Sequence, residues 1–159
     1  MEEGFSIRRA TTDDADTILD CLRSAFEPYR DRYTPEAFLD TTLTADTVRA
    51  RLAAMAVFVA AGPSGEVVGT IACAPVGGGE GHLRGMAVLP AWHGRGVAGK
   101  LLEAAEAELR RKGCTRVTLD TTEPLDRAVA FYEKHGYRAS GRASDYFGMP
   151  LFERVKSLG

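Results

Sequence analysis

The chain has 159 residues, of which 45% are hydrophobic and 26% charged, and its formal net charge is −2. These values predict one soluble globular domain, spanning residues 1–159, with a single substantial core. The near-neutral balance, with no block of like charges, argues against a nucleic-acid partner. No apolar run approaches the ~18 residues that span a membrane, and the acidic residues 1–4 lack an apolar signal region. We therefore expect a cytoplasmic protein with no membrane partner.

The three cysteines, Cys21, Cys73 and Cys114, are widely spaced and lie in apolar runs. Their spacing matches neither a disulfide framework nor a metal-ligand motif. We therefore expect buried thiols in a reducing compartment and no metal.

The first half of the chain is predicted to combine short helices with strands. The predicted elements are a strand at 5–9, a helix from 11–14 to Phe26, helices at 35–39 and 46–55, and strands at 56–61, 66–74 and 82–88. Turn residues at 62–65 join two of these strands into a hairpin. Alternation in the last strand predicts two faces, His82, Arg84, Met86 and Val88 on one and Leu83, Gly85 and Ala87 on the other.

A glycine-rich turn at 86–100 organises the rest of the chain. A strand stops at Pro90, and the turn then carries Gly94, Gly96 and Gly99 with the cations Arg95 and Lys100. Glycines let the backbone approach a ligand closely, and a helix N-terminus behind them offers unpaired N–H groups and a positive dipole end. The turn is therefore predicted to bind a phosphate or pyrophosphate.

The second half begins with the most secure helix, because Val97, Leu101, Ala105 and Leu109 form an apolar stripe that ends near Gly113. The remaining predicted elements are a strand at 115–120, a helix from Pro124 to Gly136 and closing strands at 137–140 and 146–153. Some successive strands are joined by hairpins and others by helical crossovers. The fold class is therefore α/β, a mixed central sheet with helices on both faces.

Two nucleotide motifs compete for the turn. Gly94, Gly96 and Gly99 match the dinucleotide fingerprint, with Asp120 at the expected distance, but the segment after Asp120 is too short for the rest of a doubly wound domain. The ATPase phosphate loop matches up to Lys100, yet Leu101 stands where that motif needs Ser or Thr, so it is rejected.

A third interpretation rests on two blocks of sequence. The turn His93-Gly-Arg-Gly96-Val-Ala98 follows a strand that ends in Val-x-Pro, and Phe131-Tyr132 with Gly136-Tyr137 follows downstream. In this order and separation they resemble the GCN5-related N-acetyltransferase (GNAT) family. The resemblance implies a single-domain fold with a mixed sheet of six or seven strands. It also implies transfer of an acetyl group from acetyl-coenzyme A to a primary amine by direct attack in a ternary complex.

The resemblance also implies which residues bind the cofactor: Met86, Ala87, Val88, His93, Gly94, Arg95, Gly96, Val97, Ala98, Gly99, Lys100 and Asp126. His93 replaces the usual Gln or Arg of the turn. Leu125 stands where many relatives have an Asn near the pantetheine arm, and Asp126 could supply that hydrogen bond instead.

The same resemblance implies that Tyr132 is the general acid for the leaving thiolate and that the Val88 N–H donates to the oxyanion. The general base is His82, Glu80 or water, and His82 has the better unperturbed pKa. Cys114 is expected to be a packed thiol rather than a nucleophile. A non-catalytic acyl-coenzyme A sensor or interaction domain of the same fold is the alternative.

The amine acceptor is a small molecule or a peptide, and the sequence does not identify it. Irregular segments at 26–33 and 144–147 are expected to shape its pocket, with Glu27, Asp31 or Asp145 attracting a cation. The sequence leaves a homodimer open.

Overall fold

The computed structural model describes residues 4–122 and 126–159, which form a mixed seven-stranded sheet and five α-helices. The strands are β1 (Ser6–Arg9), β2 (Ala56–Ala61), β3 (Val67–Gly77), β4 (Glu80–Val88), β5 (Arg116–Thr121), β6 (Arg138–Tyr146) and β7 (Met149–Ser157). The helices are α1 (Ala15–Phe26), α2 (Pro35–Thr42), α3 (Ala45–Ala54), α4 (Val97–Arg111) and α5 (Asp126–Lys134). The predicted fold class is confirmed. Among these residues, no helix is long and apolar enough to cross a membrane.

The strand order is β1-β2-β3-β4-β5-β7-β6, and of these neighbours only β4 and β5 are paired in parallel within the described residues. α4 connects those two strands, as a parallel crossover requires. The antiparallel remainder of the sheet does not fit the doubly wound dinucleotide domain, so the glycine fingerprint of the turn belongs to another fold.

The sheet separates two apolar clusters. One lies against α1, α2 and α3, and the other lies against α4 and α5. The predicted stripe of α4 is buried throughout, since Val97 is 1% exposed and Leu101, Ala105 and Leu109 are 0% exposed. Burying one such Leu contributes about 1.5–3 kcal/mol to folding, so this stripe holds α4 firmly on the sheet.

Threonine caps begin helical segments before β2, and the first of them, at Thr11, lies in the predicted helix start at 11–14. The Thr11 side chain and Asp14 form a reciprocal capping box, and Arg8 donates two hydrogen bonds of 2.8 Å to the Asp14 carboxylate. The Arg8 guanidinium lowers the pKa of Asp14 to about 2. Thr44 and Thr47 form a second reciprocal capping box at the start of α3, whereas at α2 the Thr34 side chain accepts a hydrogen bond from the Ala37 N–H.

A β-bulge interrupts β4 at Gly85. Thr70 of β3 pairs with Ala87 while Ala72 pairs with Arg84, so β4 carries one extra residue between these pairs. Gly85 has φ +64°, a conformation that glycine adopts without strain.

The bulge reverses the alternation of side chains along β4. Leu83, Met86 and Val88 contact the cluster on the α4 side, whereas Ala87 belongs to the cluster on the α1 side. The prediction that Met86 and Val88 share a face with His82 is therefore wrong, because an extra residue moves every later side chain to the opposite face.

β4 and β5 separate soon after they begin. Their pairing covers three residues on each strand, ending at His82 opposite Thr118. β5 continues alongside β7 to Thr121, and β4 continues alongside β3 to Val88. A wedge-shaped opening therefore lies in the middle of the sheet, where, among the described residues, the β4 backbone beyond His82 has no strand partner on the β5 side.

Candidate active site

A cavity of about 170 Å³ occupies the opening between β4 and β5. Its walls come from both strands, from α1 to α3 on one face of the sheet and from α5 on the other. The residues that line it include Phe26, Tyr33, Asp40, Arg51, His82, Arg84, Met86, Asp120, Tyr132 and Tyr146. The cavity therefore connects the two faces of the sheet at the point where the strands diverge.

The glycine turn leads from the end of β4 into α4. Gly94 has φ +78° and Gly96, the N-cap of α4, has φ +83°. The first intrahelical hydrogen bond is donated by the Lys100 N–H, so the N–H groups of residues 97–99 have no partner within the helix. No side chain of residues 4–122 or 126–159 caps this end, and no acid lies in the first turn. The residues present therefore fit an anionic ligand.

The three cations around the turn have different surroundings. The Arg95 guanidinium lies 4.6 Å from the centre of the Trp92 ring, and the Trp92 ring meets Phe5 edge to face. Lys100 is exposed, with its Nζ 3.7 Å from Glu103. Arg127 of α5 contacts His93. Arg95 and Lys100 thus remain at the surface beside the helix N-terminus.

The His93 side chain fastens the turn to the strand before it. One ring nitrogen, Nε2, lies 3.1 Å from the Val88 carbonyl oxygen, and Nδ1 lies 3.0 Å from Nη1 of Arg127. Since Arg127 can only donate, Nδ1 accepts and Nε2 donates to the Val88 carbonyl. His93 therefore braces the turn between the Val88 carbonyl and Arg127.

The N–H of Val88 points into the opening. The Leu89 N–H donates to the Val68 carbonyl at 2.9 Å, and Val88 is paired with Gly69. In an antiparallel ladder, bonded and non-bonded pairs alternate, so Val88 is in a non-bonded pair and its polar groups face away from β3. That direction is the side where β5 has diverged, which leaves this N–H available as a donor.

Tyr132 of α5 is buried, with 6% of its surface exposed, and lines the cavity. Its ring packs edge to face against Phe131 and Tyr137. Burial raises the pKa of Tyr132, and no hydrogen bond to its hydroxyl comes from residues 4–122 or 126–159. The hydroxyl is therefore protonated at neutral pH and retains its hydrogen-bonding capacity for a ligand.

His82 lies at the point where β4 and β5 part. Its Nδ1 is 2.9 Å from the Thr118 hydroxyl, and its Nε2 is 3.7 Å from a carboxylate oxygen of Asp120. Burial lowers the pKa of His82, an effect that the charge of Asp120 partly opposes. The ring is therefore neutral at pH 7 and can accept a proton.

Glu80 lies at the closed end of the opening and does not line the cavity. Arg116 donates a 2.7 Å hydrogen bond to its carboxylate, and the Thr118 hydroxyl donates another of 3.2 Å. The Arg116 hydrogen bond lowers the pKa of Glu80, which makes it a weaker base. Because Thr118 donates to Glu80, its oxygen accepts from His82 Nδ1–H, leaving Nε2 with the free lone pair.

On the acceptor side, the aromatic residues expected from the sequence line the cavity, but the acidic residues expected there do not. Phe26, Tyr33 and Tyr146 line the cavity, as expected of their segments. Glu27 instead forms an exposed ion pair with Arg30, Asp145 accepts from the Gly148 N–H, and Asp31 lies outside the cavity lining.

The charged residues that do line the cavity are Asp40, Arg51, Arg84 and Asp120. Sequence reasoning noticed Asp120 at a strand end and Arg84 in a strand, but assigned neither to the acceptor. Nothing in the sequence pattern singled out Asp40 or Arg51, because they reach the cavity only through helix packing.

The other candidate residues are placed as follows. Met86 lines the cavity, Ala87 faces the opposite cluster, and Asp126 is exposed at the start of α5. Leu125 lies outside the described residues. The three cysteines are buried, and burial raises the pKa of the Cys73 thiol to about 11, which keeps it unreactive.

Residues 16–137 match the family model described as the acetyltransferase (GNAT) family. Because this match covers most of the chain, the protein belongs to that family, and the resemblance seen in the two sequence blocks is confirmed. Family membership makes acetyl transfer its general activity.

Solved structures share the fold over nearly their whole length. The PaiA N-acetyltransferase of Thermoplasma acidophilum, solved in complex with coenzyme A, is 17% identical with a TM-score of 0.80, and 99% of each chain is covered. A GNAT-family acetyltransferase of Staphylococcus aureus Mu50 is 15% identical with a TM-score of 0.79, covering 98% of this chain and 99% of its own. A GCN5-related N-acetyltransferase of Rhodopseudomonas palustris is 24% identical with a TM-score of 0.78, covering 96% and 95%.

Proposed function

We propose that this protein transfers the acetyl group of acetyl-coenzyme A to a primary amine by direct attack in a ternary complex. The observation that carries the proposal is the opening between β4 and β5. An anion-binding helix N-terminus lies at one end of an unpaired strand edge, and the Tyr132 hydroxyl and His82 line the cavity beside it. An extended thioester ligand and an amine can therefore enter one cavity from opposite faces of the sheet.

Binding of the cofactor uses mostly backbone groups. The N–H groups of residues 97–99 bind the pyrophosphate, with Arg95 and Lys100 adding charge nearby. The unpaired edge of β4 offers alternate N–H and C=O groups to the amides of the pantetheine arm, as a sheet edge does for an added strand. His93 fixes the angle between strand and turn through the Val88 carbonyl.

The chemical step forms a C–N bond and breaks a C–S bond. The amine nitrogen attacks the thioester carbonyl carbon, while the Val88 N–H donates to the carbonyl oxygen as its negative charge develops. Tyr132 transfers its hydroxyl proton to the departing sulfur, since its phenol is protonated and the residue lines the cavity.

His82 removes the proton that the amine must lose. Its Nδ1–H donates to Thr118, which leaves the Nε2 lone pair available, and burial keeps the ring neutral. Glu80 acts indirectly, because it orients Thr118 and so fixes the tautomer of His82. Neither role requires a cysteine or a covalent acetyl-enzyme.

Release of the coenzyme A thiol in the presence of a pool of primary amines tests the proposal. We expect thiol release that depends on the amine, together with micromolar binding of coenzyme A and no binding of NAD or ATP by calorimetry. Tight coenzyme A binding without acyl transfer or hydrolysis would support the sensor instead.

A further inference from the structure

Two arginines on the acceptor side of the cavity have no part in the steps above. Arg84 of β4 and Arg51 of α3 both line the cavity. The Arg84 guanidinium lies 3.9 Å from the Asp40 carboxylate, but within residues 4–122 and 126–159 Arg51 has neither an ion pair nor a side-chain hydrogen bond. Burial and the neighbouring charge of Arg84 lower the pKa of Arg51 to about 10. Of these two guanidinium groups, only that of Arg84 has a carboxylate partner among the described residues.

Arg51 lies directly on the bulge of β4. A Cβ atom added to Gly85 would collide with Nη1 of Arg51, so the guanidinium fills the space that any side chain at this position would need. Gly85 is three residues from His82, a distance of roughly 10 Å along a strand. The Arg51 guanidinium and the proposed base, His82, therefore lie beside the same short segment of β4.

Two carboxylates, those of Asp40 and Asp120, also line the cavity. Asp120 lies 3.7 Å from His82 and has no other ion-pair partner in the described part of the chain. Asp40 is occupied, since it accepts a 2.6 Å hydrogen bond from Tyr146 and faces Arg84. Near Gly85 the cavity therefore carries two guanidinium groups and one carboxylate, that of Asp40. The Asp120 carboxylate lies beside His82.

We propose that the acceptor is a small amine that also carries a carboxylate, as an amino acid does, with Arg51 binding the carboxylate and Asp120 attracting the ammonium. This assignment rests on the proposed function. A planar guanidinium matches a carboxylate bidentately, and an unpaired charge in a largely buried site is costly unless a ligand pairs with it. The cavity, at about 170 Å³, is smaller than the sites that hold drug-sized ligands, which favours a compact amino acid over a protein chain.

The experiment compares free L-amino acids with their amides and with O-phosphoethanolamine as acceptors, using the full chain. For the wild type, we expect kcat/KM for the best acid to exceed that for its amide by about 10- to 100-fold, the effect of one hydrogen-bonded charge pair. In Arg51→Met this ratio should fall towards one through an increase in KM for the acid. Arg49→Met is the matched control, because Arg49 is exposed on the same helix, and its ratio should equal that of the wild type.

The outcomes separate the two proposals. Efficient transfer to amines with an acid-to-amide ratio near one, or a preference for phosphoethanolamine, would overturn the carboxylate site and leave acetyl transfer intact. If no amine is acetylated, binding of the amino-acid panel is measured by calorimetry with coenzyme A present. Amino-acid binding that is lost in Arg51→Met would support the carboxylate site and reject acetyl transfer. The absence of amino-acid binding would reject both proposals.

Discussion

Replacing Tyr132 with Phe isolates one hydroxyl, because the ring and its packing are kept. If that hydroxyl protonates the leaving thiolate, its loss should lower kcat and kcat/KM together by about 10²–10⁴-fold, or about 3–5 kcal/mol in the barrier. Coenzyme A affinity should remain within about threefold of the wild type, since the proposed contacts with the cofactor are made mostly by the turn. Stability should change by less than about 0.5 kcal/mol, because no protein hydrogen bond to this hydroxyl is lost within the described residues.

Tyr137→Phe is the matched control on the neighbouring aromatic. The Tyr137 hydroxyl donates a 2.7 Å hydrogen bond to Glu106, which is buried and also bound by Lys156 at 3.0 Å. Losing a hydrogen bond to a charged group costs about 1.5–3 kcal/mol, so Tm should fall by roughly 3–12 °C. Activity should stay within about threefold, since Tyr137 does not line the cavity.

The assay is steady-state kinetics of both variants with calorimetric coenzyme A affinity and thermal melts. We expect opposite patterns in the two variants. Tyr132→Phe should lose activity but keep its stability, and Tyr137→Phe should lose stability but keep its activity. A Tyr132→Phe enzyme with kcat within threefold of the wild type would refute the acid role.

Three further variants test other parts of the site. Gly96→Val places a β-branched residue at φ +83° and should weaken coenzyme A binding at least tenfold by calorimetry, with an unchanged circular dichroism spectrum. The kcat profile should lose activity as pH falls through the pKa of His82, below about 6.5, and this limb should vanish in His82→Gln. Because the pKa of His82 is lowered in the folded state, its contribution to stability is also present above about 6.5 and lost below it. Arg51→Met should raise Tm by roughly 2–4 °C, about 1 kcal/mol, because it removes a costly unpaired charge.

The parts of the fold that follow from local periodicity could be predicted from the sequence. The stripe of α4 and the glycine turn are encoded within a few neighbouring residues, so the helix and the turn before it can both be predicted from the sequence. The closing hairpin was predicted too short, at 137–140 and 146–153. Pairing with β5 and between the two strands extends it to Arg138–Tyr146 and Met149–Ser157, despite a register shift between Ala139 and Ala143.

The charged residues of the acceptor side could not be predicted, because they are brought together by contacts between distant segments. Arg51 reaches Gly85 only through the packing of α3 on the sheet, and the bulge at Gly85 has no signature in the alternation of β4. The divergence of β4 and β5 is likewise a property of pairing, and it determines which N–H groups remain available.

The measurement that tests the central claim most directly is the initial-velocity pattern with acetyl-coenzyme A and the amine varied together. Direct attack in a ternary complex predicts intersecting reciprocal plots and no acetylated protein in the mass spectrum of enzyme incubated with acetyl-coenzyme A alone. Parallel plots with a stoichiometric acetyl-enzyme would contradict the account, because the acetyl group would then pass through a protein nucleophile rather than directly to the amine.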